Sequence, residues 1–148
     1  MKTTWKMMQI KEMSGSPVAG CLSLAAPGPG EVLVGLRAAA LNFADLLMTK
    51  GQYQETPPLP FIPGLEGAGE VLAAGAGVAL APGTRVVVQG QGTMAEANLF
   101  PAESCHPIPD AMGYDEAAGF LIAYGTSHFA LTLRAGLRKG ETLAVLGA

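Results

Sequence analysis

The chain has 148 residues, of which 14% are charged and 49% apolar, and it carries a net charge of −3. That length supports one hydrophobic core, and the scarcity of Lys and Arg excludes a phosphate-neutralising nucleic-acid surface. So few charges also point to some surface that something outside the chain covers. Cys21 and Cys105 lie far apart with no zinc-type spacing, which reads as two reduced thiols in a cytoplasmic protein. The lysines in "MKTTWKMMQIKEM" break up any signal-peptide core, and no apolar run reaches the ~18–20 residues of a membrane span.

Residues 3–12 predict an opening strand. In "PGPGEVLVGLRAAAL" a turn leads into alternation at Val32, Val34, Leu36 and Ala38, a second strand. "NFADLLMTKG" predicts a short helix with Asn42 as N-cap, Phe43, Leu46 and Leu47 on one face, and Gly51 at its C-terminal end. "ETPPLPFIP" is a proline-rich loop. The glycine-bounded runs "GEVLAAGAG", "GTRVVVQG" and "TMAEANLF" predict three strands of a small barrel or sandwich. After Pro109, "YDEAAGFLIAYGTSHFALTLRAG" is helical in composition, with Asp115 as N-cap and Gly125 dividing it into two helices. The closing "GETLAVLGA", residues 140–148, reads as a buried parallel strand leading toward a glycine-rich phosphate loop.

The stretch "PFIPGLEGAGEV", residues 60–71, spaces its glycines G-x-x-G-x-G ahead of a strand, so it is not a dinucleotide loop. By itself it reads as a tight turn, with Glu66 accepting backbone N–H bonds. Together with "AALNFADLLMTKGQY", "GTMAEANLFPAE" and "ETLAVLGA", all in order, it makes the chain resemble the medium-chain dehydrogenase/reductase superfamily. Within that superfamily the resemblance is to the quinone oxidoreductase, or zeta-crystallin-like, branch.

The resemblance implies a mainly β fold with peripheral helices, a GroES-like partly open β-barrel ending in the first strand of a Rossmann domain. The expected layout is a catalytic domain over residues 1–114, a helical connector over 115–139 and that strand over 140–148. It implies an N-terminal portion of an NADPH-dependent reductase about twice as long, a homodimer when whole, acting on a small-molecule quinone or enone. Taken alone, the portion is expected to be inactive and to have a loose or self-associating tail. NADH stays open beside NADPH, because the residues that choose between them follow the next Rossmann strand. Two alternatives stand beside this reading: a trans-enoyl thioester reductase, and a non-catalytic GroES-like binding or co-chaperonin module.

Zinc-dependent relatives place a cysteine three residues before an Asp and a histidine just before the signature Glu. Here those positions hold Asn42 and Leu65, which cannot build a catalytic zinc site, and "GQGTMAEAN" runs across the place of the structural zinc lobe. No metal is therefore expected. Chemistry then rests on the cofactor's hydride and on donors to the developing oxyanion. Tyr53 matches an active-site tyrosine of related enoyl reductases, against the alternative of an amphipathic loop-edge residue. Asn42 would reach the nicotinamide or ribose as well as cap its helix. The segment Asn42, Phe43, Ala44, Asp45 and Leu46 would line the cofactor's reactive end, largely through backbone groups. Asp45 would either orient its neighbours or simply favour the helix N-terminus by its charge, and the charge alone suffices to explain it. "AYGTSHFAL" resembles the family's "GLTAY" stretch, which makes Thr126 a nicotinamide neighbour or a simple N-cap. His128 stands near the position of the aromatic, more in keeping with an interfacial residue than with an acid–base group.

Overall fold

A computed structural model describes residues 4–147, so the parts of the first and last expected strands at Thr3 and Ala148 lie outside it. Two antiparallel sheets make up the body. A hairpin pairs β1 (Thr4–Gln9) with β2 (Val18–Ser23), and a five-stranded sheet follows. Its strands are β3 (Glu31–Ala39), β4 (Glu66–Ala74), β5 (Arg85–Gln89), β6 (Ala97–Pro101) and β7 (Cys105–Pro107), arranged β6-β3-β4-β5-β7. The hairpin joins the larger sheet only at points: Met8 N–H donates to the Met94 carbonyl, Glu96 N–H to that of Lys6, and Ile10 bridges Phe61. The sheets therefore curl toward one another without closing, a partly open barrel.

Valine-rich alternation explains the core. Val32 and Val34 of β3, Val71 of β4, Val86 and Val88 of β5, Phe100 and Cys105 form one buried cluster contributed entirely by the five-stranded sheet. Leu33 and Val87, pointing the other way, are buried as well, so these central strands are covered on both sides where they cross. Gly69 permits the closest approach of β4 to β3, since a Cβ there would run into the Gly35 carbonyl oxygen.

β2 carries no apolar alternation, and nothing in "VAGCLS" marks it; it is a strand because β1 offers it a partner along all six residues. The helices depart further from expectation. α1 (Phe43–Thr49) starts at Asn42, where Asn42 and Asp45 form a capping box. Yet it buries Asp45 and Met48, while Phe43 is 73% and Leu46 48% exposed. The apolar stripe read from the sequence thus faces outward. α2 (Tyr114–Ala118) is capped by Gly113 instead of Asp115, which sits in its first turn. The break before α3 (Leu121–His128) falls at Gly119–Phe120, and Gly125 lies inside α3, where open space surrounds it.

α2 packs Ala117 and Ala118 onto Ala68 and Val87 of the sheet. Arg85 fixes its approach: its guanidinium donates to the carbonyls of Pro109, Asp110 and Met112 and lies 4.5 Å over the Tyr114 ring. Beyond α3 a π-helical segment, Phe129–Arg134, continues outward with no buried residue. Residues 141–147 belong to no strand, because a strand requires a hydrogen-bonded neighbour and none of the described residues supplies one.

Candidate active site

The start of β4 and the end of β5, which pair with one another inside the five-stranded sheet, meet α1 and α3. The turn that brings β4 there needs glycine at position 64. Its φ is +99°, and a Cβ would collide with the Thr93 hydroxyl. Its N–H donates at 3.0 Å to Asp45 Oδ1, while Asp45 Oδ2 accepts the Asn42 backbone N–H at 2.9 Å. Asp45 is 4% exposed, so its carboxylate works inward, tying the helix start to the Gly64 turn.

Two residues on, Glu66 is 1% exposed and joins three elements. Oε1 accepts the Asn42 side-chain N–H at 3.1 Å, and Oε2 accepts the Ile122 backbone N–H at 2.9 Å. Its carbonyl accepts the Thr93 hydroxyl at 2.9 Å and the Ala40 N–H at 3.2 Å. The expectation of a carboxylate accepting backbone N–H groups fits one arm; the other holds a side chain.

In front of this bridge lies a cleft of about 550 Å³. Ala44, Tyr53 and Thr126 line it, with Leu65, Ile122 and Phe129 as apolar wall and Gln89 and Glu55 as further polar groups. Ile122 and Thr126 are four apart on α3 and so share the face turned to the cleft. Tyr53 also packs against the satellite core of Ile10, Met48 and Phe61, which fixes its ring while it reaches the cleft. A second cleft of about 510 Å³ flanks α1 against the Ser14–Pro17 loop and includes Asn42, Asp45 and Leu46.

The expected site residues therefore divide. Ala44, Tyr53 and Thr126 meet in one cleft, and Asn42 stands behind it, bound to Glu66. Phe43 is exposed and, like His128 in the last turn of α3, lines neither cleft. Gln89 and the joining role of Glu66 were not foreseen. A polar residue closing the run "VVVQG" was the available signal for Gln89, which pairs in register with Glu66. Among the described residues, no group of three or more His, Cys, Asp or Glu side chains gathers closely enough to hold a metal ion.

A nicotinamide ring with its carboxamide fits the main cleft by size and chemistry: an apolar wall, a phenol, an alcohol and an amide within one concavity. No Lys or Arg among the described residues lines it.

The same fold and motif order occur in known proteins. Residues 28–110, more than half of the chain, match the family described as the alcohol dehydrogenase GroES-like domain. The synaptic vesicle membrane protein VAT-1 homolog of Homo sapiens is 43% identical over 122 residues, covering 81% of this chain and 31% of that protein. Quinone oxidoreductase-like protein 2 of Rattus norvegicus is 42% identical over 143 residues, covering 95% of this chain and 38% of its own length. The quinone oxidoreductase of Thermus thermophilus, solved also with NADPH, superposes with a TM-score of 0.76 at 33% identity, covering 92% of this chain and 43% of that one. The chain thus spans about a third of the length of the curated relatives it matches. With the partly open barrel, the motif order and these likenesses in agreement, the chain belongs to the alcohol dehydrogenase GroES-like domain family, within the quinone oxidoreductase group of the medium-chain dehydrogenases/reductases.

Proposed function

We propose that the chain is the catalytic-domain portion of a cytoplasmic, zinc-independent, NADPH-dependent oxidoreductase that reduces a quinone or an activated enone, and that it acts as a homodimer when complete. The observation that carries this reading is the meeting of Ala44, Tyr53 and Thr126 in one cleft of ligand size. Zinc independence is supported by the donor set: an amide at Asn42 and a hydrocarbon at Leu65 stand where zinc-dependent relatives have ligands. NADPH is supported by the cofactor-bound relative from Thermus thermophilus.

When bound, the cofactor supplies a hydride to a conjugated acceptor. This chain's own residues bind, shield and protonate. Leu65, Ile122 and Phe129 would give a planar ring an apolar wall and exclude water from it. Hydride addition to a conjugated carbonyl moves negative charge to oxygen, and the Tyr53 hydroxyl is the donor in the cleft suited to meet it. Thr126 would supply a polar contact to the ring's carboxamide or the adjoining ribose, and Asn42, which Glu66 holds behind the cleft, would meet the same groups through its amide oxygen. Glu55 and Gln89, at the same cleft, would orient the acceptor's polar groups.

The direct test is NADPH oxidation by the complete protein with a panel of quinones, enones and enoyl thioesters. Turnover of quinones or enones is expected. A marked preference for enoyl thioesters would move the assignment to an enoyl reductase, and no hydride transfer to any of the panel would overturn it.

A further inference from the structure

Glu66 is the most deeply buried acidic side chain at the site, and its two oxygens are used on Asn42 and Ile122, neither of which carries a charge. A carboxylate is acceptor-only, so it can satisfy two converging donors at once, as an amide cannot. One arm selects the orientation of the Asn42 amide: with Nδ2 engaged, the oxygen is the group left for the first helical turn and for an approaching donor. The other arm seats the first turn of α3, and Thr126 follows Ile122 by one turn on the same face. A single buried side chain therefore ties the amide behind the cleft to the helix that walls it.

We infer that Glu66 is the positioning residue of the cofactor cleft, acting through Asn42 and α3 without touching the reacting atoms; this rests on the cofactor reading given above. Glu66→Gln sharpens the point. Glutamine offers one acceptor and one donor, so it either opposes N–H to the Ile122 N–H or forces the Asn42 amide to turn its nitrogen toward its own helix. In either case one of the two arms is lost. The double change Glu66→Gln with Asn42→Asp restores both, because the carboxylate introduced at position 42 accepts from the amide introduced at position 66. Its second oxygen still faces the helix turn.

The experiment measures NADPH binding to the complete protein by fluorescence, with thermal stability recorded for each variant. Thr93→Val serves as the stability control, since it removes the hydroxyl bond to the Glu66 carbonyl and leaves both carboxylate arms intact. E66Q is expected to weaken binding at least tenfold, T93V to lower Tm with binding within about twofold, and the double variant to recover most of the loss. In parallel, the Asn42 side-chain amide protons of this 148-residue chain are followed by NMR. Slow exchange with water in the wild type and faster exchange in E66Q are expected. Equal weakening by E66Q and T93V at equal loss of Tm, or no recovery in the double variant, would overturn the inference. If the wild type bound no NADPH, the cofactor reading would fail separately, and equal amide exchange in wild type and E66Q would then overturn the positioning role on its own.

Discussion

At Tyr53 a ring is pinned by Ile10, Met48 and Phe61 while its cleft-facing side lies among apolar and hydroxyl groups. A phenol held this way loses little entropy when it donates, which suits it to protonating a nascent enolate or quinol oxygen. Tyr53→Phe in the complete protein should lower turnover by about 10²–10⁴-fold with little change in NADPH affinity. Steady-state kinetics check this, and unchanged kcat would return Tyr53 to a packing role. Asn42→Ala should instead raise the apparent constant for NADPH as well as slow hydride transfer, because the amide belongs to the cofactor side; wild-type values for both would dismiss it. A second residue-scale expectation concerns Cys105, which is 4% exposed and whose Sγ lies 3.6 Å from the Pro101 carbonyl. Burial raises its thiol from the ordinary 9.0 to about 11. The fold keeps that proton while the unfolded chain releases it, so stability falls as pH rises from about 9 to about 11 and levels off above. Cys105→Ala should lower the starting stability yet flatten that alkaline slope, as denaturant melts across the window will show. At pH 8 a thiol reagent should modify exposed Cys21 quickly and Cys105 only on unfolding.

The short helix α1 shows how an element can be foreseen and its orientation missed. Asn42 and Gly51 marked its ends correctly, since capping chemistry is local. Which face turns inward is not local: Phe43, Leu46 and Leu47 form the apolar stripe, yet the Gly64 N–H binds Asp45 and draws the opposite face into the protein. Serine at Phe43 or Leu46 should therefore change the stability of this chain by no more than about 0.5 kcal/mol. Met48→Ala, which opens the cluster of Ile10 and Phe61, should cost about 2–5 kcal/mol. Chemical denaturation of the three variants decides this, and a large loss from Phe43→Ser would mean that the helix lies the other way round. Strands β3 to β6 were legible because their burial is written in alternation and apolar runs, most clearly in the valines of β3 and β5. β2 was not, since its strand character comes from its partner, and the break at Gly119–Phe120 was not, since the sheet stops α2 once Ala117 and Ala118 are packed. The same limit applies to the site. Tyr53 and Thr126 could be named from their motifs, whereas the reach of Glu66 to Asn42 and Ile122 spans 24 and 56 residues and exists only in the fold.

For the molecule as a whole, the question is what these residues can bind unaided. The main cleft accommodates a nicotinamide-sized group, but among its described lining residues it offers no cation for phosphates, and a dinucleotide derives much of its affinity from a helix N-terminus beside a glycine-rich loop. Apolar surface is meanwhile exposed along one stretch of the chain: Tyr124, Phe129 and Leu133 along α3 and its π-helical continuation, and Leu143, Val145 and Leu146 beyond them. Two outcomes follow for the 148-residue chain studied by itself. It should show no saturable NADPH binding at micromolar concentration and no quinone turnover. It should also self-associate as concentration rises, through apolar contacts that persist at high salt. Sedimentation velocity separates this from the co-chaperonin alternative, which demands rings of fixed size, whereas covering an apolar face need not stop at one stoichiometry. Leu133→Asp, on the exposed segment, should shift the distribution toward monomer without lowering Tm, because Leu133 is 72% exposed and packs on nothing the fold needs. Micromolar NADPH binding by this chain would show that the cleft and its polar groups suffice for the dinucleotide. The division of labour between two domains would then have to be abandoned.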